Sequence, residues 1–182
     1  VLQFLGFNRG VSYHQSILSA LEEDGEDILT HVIDILDSKK EAEKEYKQDY
    51  ENAKRKWIPY SRSGDIRNLL EILMRFEISE RQVENIIKKD IRYERGITYD
   101  EKELTENPYL IAESDKGLFN DKGDIISPRI PLDIVDQALI PTFNYLNKYQ
   151  LDDDRRIRAI MIEVLTKSSR EGDTLLSLHD VI

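Results

Sequence analysis

The chain has no cysteine, and its 182 residues include only five prolines and eight glycines. Without cysteine there is no disulfide framework, no thiolate zinc site and no cysteine nucleophile, which fits a reducing compartment and points to the cytoplasm. With so few prolines and glycines, and 40% hydrophobic residues, the chain should build a real core. No apolar run approaches the ~20 residues of a membrane-spanning helix. Neither GxxxxGK[ST] nor GxGxxG occurs, so nothing cradles a nucleotide phosphate and this stretch should not hydrolyse ATP. Its length suits one ordinary domain or two small ones. It begins at Val1 and stops in LSLHDVI, which reads as a helix just starting; the expectation is a piece of something longer.

Charge is plentiful but lopsided. Charged residues are 34% and the formal net charge is -10, a sign that repels phosphate backbones. Residues 1–50 carry 5 basic and 11 acidic side chains, residues 51–95 carry 11 and 8, and residues 96–182 carry 10 and 17. Only the middle block is net positive.

Helical periodicity dominates. Residues 12–23 place Ile17, Leu18 and Leu21 on one face, with Ser12 as a cap. From Glu26 to Trp57, the residues Ile28, Val32, Ile35, Ala42, Tyr46, Tyr50, Ala53 and Trp57 recur at threes and fours. They predict one long helix with a narrow seam, roughly 45–50 Å if unbroken. It reads as half of a helical hairpin, or as an arm whose seam receives a partner. Pro59 and the SRSG run should break it. Ile66, Leu69, Leu70 and Leu73 then face a core. A turn at EIS leads into a capping box of Ser79 with Gln82, and Val83, Ile86 and Ile87 face inward. Thr98 with Glu101 predicts a second capping box, and Asn107-Pro108 opens a short helix. Residues 115–131 read as a loop with little structure of its own, and Pro131 opens a helix that Pro141 stops.

The stretch LDDDRRIRAIMIEVLTKSSREGDT, residues 151–174, sets three aspartates before three arginines. Aspartates at a helix N-terminus accept from free amides and oppose the dipole. Ile157, Ile160, Met161, Val164 and Leu165 predict a buried stripe. Arg155, Arg156 and Arg158 lie off it and should pair with Asp152–Asp154 or a neighbouring element; Arg170 and Gly172 close the helix. Strand candidates are confined to pieces such as DIISP and TLLSL.

Constellations for chemistry are sparse. His14, His31 and His179 are scattered, although His31 and Asp34 share a helical face at i,i+3; no metal or nucleophilic site is expected. Acidic pairs abound, but nothing marks one as buried for acid–base work. The one binding surface is the middle block. There Lys54, Arg55, Lys56, Trp57, Tyr60 and Arg62, then Arg67, Lys88, Lys89, Arg92 and Arg95, interleave cations with aromatics, a pattern that tracks phosphates and stacks bases. Seven acids from Asp65 to Glu94 blunt that field, and i,i+4 pairing on an ordinary helix surface accounts for the same residues.

Three blocks in order, ENPYLIAESD (106–115), ISPRIPLDIVDQALIP (126–141) and residues 151–182, resemble RecD-like DNA helicases of the exodeoxyribonuclease V alpha-subunit kind. In that family aspartates precede an Arg-Ile-Arg-Ala helix, after tandem helix-hairpin-helix units and before the motor domains. The resemblance implies an accessory N-terminal region with degenerate helix-hairpin-helix units. The resemblance further implies that ATP and magnesium would act in a motor beyond Ile182, and that single-stranded DNA would be the partner. The turn Phe76-Glu77-Ile78-Ser79 departs from the family's glycine-containing turns, and Gly6 and Gly10 in FLGFNRG suggest a second degenerate unit. The expectation is an all-α chain in three parts, 1–58, 59–150 and 151–182. It would be non-catalytic, with Lys54, Arg55, Lys56, Trp57, Arg62, Arg67, Lys88, Lys89, Arg92 and Arg95 as its nucleic-acid contacts. The rival is a helical protein-interaction module using the seam through Tyr46, Tyr50 and Trp57.

Overall fold

A computed structural model of the chain describes residues 1–7, 28–140 and 150–171. The predicted helix at 12–23, Gly10, His14, His179, the Pro141 and Gly172 stops, and the TLLSL and LSLHDVI segments lie outside these residues. Among the described residues there are nine helices and one two-stranded hairpin, an all-α fold as the periodicity predicts. The chain divides into two compact units, Val1–Ile87 and Lys88–Ile182. They join at a different place from the predicted segment ends at 58 and 150.

The first unit contains α1 (Ile28–Leu36), α2 (Lys47–Ser61), α3 (Gly64–Leu73) and α4 (Glu80–Ile87), each packed on the next. The single helix predicted from Glu26 to Trp57 is therefore two helices. Residues 37–40 contribute nothing apolar to the seam, and Ser38 sits in the left-handed region at φ 62. The amides of Lys39 and Lys40 both donate to the Asp34 carbonyl, at 2.8 and 3.2 Å, which closes the turn. Doubling back lets the two halves of the seam bury each other, where a continuous rod would leave both in water. His31 secures the link. Its Nε2 lies 3.0 Å from the Glu43 carboxylate and its Nδ1 3.0 Å from the Lys40 ammonium, so it meets these groups rather than Asp34.

Pro59 does not end α2; the helix runs on to Ser61. A proline this near the C-terminus forfeits one amide bond with only two residues still to follow, so the break falls at Arg62–Ser63. The α3–α4 turn follows the sequence closely. Ser79 N donates to Gln82 Oε1 at 3.0 Å, Gln82 N donates to Ser79 Oγ at 3.3 Å, and Val83, Ile86 and Ile87 are buried. Phe4, Leu5 and Phe7 complete the core, with the Phe7 ring edge-on to Tyr50 at 5.1 Å and stacked against Tyr46 at 6.1 Å.

The second unit contains α5 (Lys89–Glu94), α6 (Glu101–Glu106), α7 (Tyr109–Ser114), the antiparallel β1 (Leu118–Phe119) and β2 (Ile125–Ser127), α8 (Leu132–Leu139) and α9 (Asp154–Glu171). α7, α8 and α9 pack on one another. The capping box is Asp100 with Glu103, not Thr98 with Glu101, because α6 starts one residue after Asp100. Glu101 is instead drawn to Arg92 at 2.9 Å. The supposed loop at 115–131 is also more ordered than its glycines and prolines suggest. It forms the hairpin, with DIISP supplying β2, and Asp115 anchors it at both ends. Gly117 is required there: its φ is +78, and a Cβ would lie 3.0 Å from the Ser127 carbonyl.

The stripe on α9 departs furthest from expectation. Ile157, Met161 and Leu165 are 42%, 41% and 50% exposed, Ile160 and Val164 are half-buried, and Ala159 is buried. Ion pairs set the roll of this helix. Arg156 grips Asp136 on α8, Arg158 reaches Glu113 on α7, and Glu163 holds Arg129, so these side chains tie α9 to its neighbours while Arg158 and Glu163 stay partly in water.

Candidate nucleic-acid interface

The predicted contacts separate by burial and by unit. In the first unit α2 carries Lys54, Arg55, Lys56 and Trp57, α3 carries Arg67, and Arg62 lies between them. Arg55 and Arg62 are exposed, and Lys54 is half-buried. Lys56 is exposed along its stem, but its ammonium donates to the Phe4 carbonyl at 3.1 Å. Trp57 is 1% exposed and cannot stack on a base. Its indole N–H donates to Asp37 Oδ1 at 3.0 Å, and the Arg67 guanidinium lies 5.6 Å from its ring centre. Arg67 is committed as well, to Asp37 Oδ2 at 2.8 Å and to Glu71 at 2.8 Å. Burial alone would raise the Asp37 carboxyl; the hydrogen bonds from Trp57 and Arg67 outweigh it and hold that group below the usual carboxylate range. Trp57 and Arg67 thus fasten the α1–α2 turn to the core, and both leave the contact set.

In the second unit Lys88 and Lys89 are exposed, and the Lys89 ammonium lies 5.5 Å from the Tyr93 ring centre. Arg92 and Arg95 are fully buried, which removes both from the predicted interface. An arginine leaves water only when partners replace its hydration. Arg92 has Glu101. Arg95 donates to Asp115 Oδ2 at 2.6 Å, Ser127 Oγ at 2.9 Å and the Pro128 carbonyl at 2.8 Å. Asp115 also accepts from the amides of Gly117 and Ile130, at 2.9 and 2.7 Å. What reads in sequence as the end of a basic block is the centre of the hairpin's anchor.

The rival surface is closed too. Tyr46, Tyr50 and Trp57 are buried within their own unit, so that seam has no room for another chain.

The structure adds cations that the charge blocks hide. Lys39, Lys40 and Lys47, all in the acidic first fifty residues, line a cleft of about 260 Å³ together with Lys54. The i,i+7 spacing of Lys47 and Lys54 is a usable signal in the sequence; the approach of Lys39 and Lys40 depends on the unforeseen turn. In the second unit a cavity of about 370 Å³ lies beside α7 and α9, where Glu113, Arg129 and Glu163 meet. Burial pushes the Glu113 carboxyl up, and Arg158 opposes the shift. Tyr109 is pushed up by burial and by the Asp136 carboxylate that its hydroxyl contacts at 2.9 Å. Among the described residues no three His, Asp or Glu side chains are grouped to hold a metal ion, and no helix is long and apolar enough to cross a membrane. Compared with protein-family models, curated proteins and solved structures, the chain finds no match in any of the three.

Proposed function

We propose that this chain is a non-catalytic accessory part of an ATP-dependent, RecD-like DNA helicase, positioning single-stranded DNA or orienting the motor domains. The observation that carries this reading is how the blocks resembling that family interlock. Residues 106–115, 126–140 and 151–171 belong to one compact unit, and polar residues of these blocks link its elements. Arg156 of the Arg-Ile-Arg-Ala helix bonds Asp136 through Nε and Nη2, at 2.7 and 2.9 Å, and Asp136 also accepts from Tyr109 of the NPY block. Arg158 reaches Glu113, and Arg129 of SPRIP reaches Glu163. Arg155 pairs with Asp153 and caps the Glu106 carbonyl at 2.8 Å. Motifs that distant in sequence act here as fasteners, as an architectural role requires. DNA would meet the exposed cations, Arg55 and Arg62 in one unit and Lys88 and Lys89 in the other. ATP and magnesium would be handled by the parent's motor. The exposed line Ile157–Met161–Leu165 supplies an apolar surface for motor domains to rest on.

That same line favours a second reading, a helical protein-interaction module with no nucleic-acid role. Three observations separate the two. The helicase reading requires a GxxxxGK[ST] segment beyond Ile182 in the full gene. It also predicts weak single-strand binding that falls steeply with salt and is lost in Arg55→Glu/Arg62→Glu. The rival predicts that Met161→Glu/Leu165→Glu abolishes assembly with a protein partner, with no DNA affinity to lose.

A further inference from the structure

The turn that divides the predicted long helix also builds something. Residues 38–42 fold back across the first two turns of α2, and Lys39 and Lys40 arrive beside Lys47 and Lys54, which share one face of α2 at i,i+7. Four ammonium-bearing side chains thus border one cleft of about 260 Å³, in a chain whose net charge is -10. Like charges gathered this way repel one another. Two carboxylates on the rim, Glu41 and Glu51, offset part of that repulsion, and Lys39 also lies 3.3 Å from Asp34 and 3.4 Å from Asp37. With Lys39 paired to those aspartates, Lys40, Lys47 and Lys54 still outnumber the two rim carboxylates.

The arrangement is held from behind. His31, 5% exposed, has Nδ1 3.0 Å from the Lys40 ammonium. Lys40 can only donate, so Nδ1 accepts, and Nε2 carries the proton toward Glu43 at 3.0 Å. A buried histidine in that tautomer fixes the Lys40 head at the cleft. The left-handed Ser38, and the Asp34 carbonyl that takes both amides, fix the turn itself. Local departures from sequence rules often mark functional positions, and this turn is the largest such departure in the first unit.

We propose that this cleft is a phosphoryl-binding site, in which Lys40, Lys47 and Lys54 receive the oxygens of a phosphate chain. This deepens the DNA reading, and depends on it only for the source of the phosphates, which would be successive backbone phosphates of a single strand.

The test uses the whole 182-residue chain and two probes, inorganic tripolyphosphate by calorimetry and an oligothymidylate by fluorescence anisotropy. Lys47→Gln/Lys54→Gln is the variant, because both side chains stand on a formed helix and neither belongs to the core. Far-ultraviolet circular dichroism checks its fold, and Lys40→Gln serves as an independent second probe. The expected result is a loss of about tenfold or more for both ligands in the double variant. The oligothymidylate salt slope should also shrink by about 1.4, or ~0.7 for each lost phosphate contact on a single strand. Tripolyphosphate binding without oligothymidylate binding supports the site, assigns it to a free phosphate ligand and sinks the DNA reading. Oligothymidylate binding that is equal in wild type and both variants overturns the site and leaves the DNA reading standing. Binding of neither probe by the wild type overturns both.

Discussion

The two units solve the same problem with different chemistry. The first is organised by rings and aliphatics. Phe7, Tyr46, Tyr50 and Trp57 fill the space between α1 and α2, and Leu69, Leu70, Leu73, Val83 and Ile86 continue that core through α3 and α4. The second is threaded with arginine–carboxylate clasps, among them Arg95–Asp115, Arg92–Glu101, Arg156–Asp136 and Arg129–Glu163. An apolar core tolerates approximate shape and fails gradually as contacts are removed. A buried ion pair is secure only while complete: removing one partner strands the other's charge. The second unit should therefore be the more brittle to single polar substitutions, and the first the more sensitive to lost volume.

The sharpest break between them is Asp115→Ala. It leaves Arg95, fully buried, without its carboxylate, and should cost the second unit about 3–5 kcal/mol in denaturant unfolding. Arg95→Met/Asp115→Leu should recover most of that loss; a double variant no better than the single one would mean the clasp is not the source. Next comes Leu70→Ala in the first unit, where a cavity at a fully buried position should cost about 3 kcal/mol and leave the second unit's transition in place. Loss of both transitions together would show that the units do not unfold separately.

Asp37 gives the first unit a strong electrostatic dependence. Asp37→Asn should cost about 2 kcal/mol at pH 7, since three donors, Trp57, Arg67 and Lys39, converge on this carboxylate. Its folded pKa is depressed, so its contribution is complete above the unfolded value of about 3.9 and disappears as pH falls through the lower folded value. Wild type and Asp37→Asn should therefore converge in stability once pH has fallen through the depressed folded value; a gap that stays unchanged down to the acid limit of folding would assign the loss to packing. The smallest effect is expected at Arg155→Ala. That residue's pairing with Asp153 is partly exposed, and its removal should cost less than about 1 kcal/mol. A larger loss would place the Glu106 carbonyl contact among the clasps that hold the unit.

This contrast also explains what could be read from the sequence. Helix–turn–helix 64–87, its capping box and its inward residues follow from apolar spacing, which is a local signal. The break in the 26–57 seam does not, because Ala42, Tyr46 and Tyr50 keep the period across residues that turn back. In the second unit the period misled in part: Ile157, Met161 and Leu165 have the spacing of a buried stripe yet are exposed, while Ile160 and Val164 are half-buried and Arg156, Arg158 and Glu163 make the links to neighbouring elements. Composition could not distinguish a solvated arginine such as Arg62 from an enclosed one such as Arg95, because burial depends on Asp115, Ser127 and Pro128, twenty to thirty-three residues away. The cations at Lys39, Lys40 and Lys47 were masked by the acids around them in sequence, and only the turn brings them beside Lys54.

The most direct test of the DNA-positioning role is the affinity of the wild-type chain for an oligothymidylate across a salt series. Two or more lysine–phosphate contacts predict a log–log slope of about -1.4 or steeper. A slope near zero, or no measurable binding at low salt, would contradict the account.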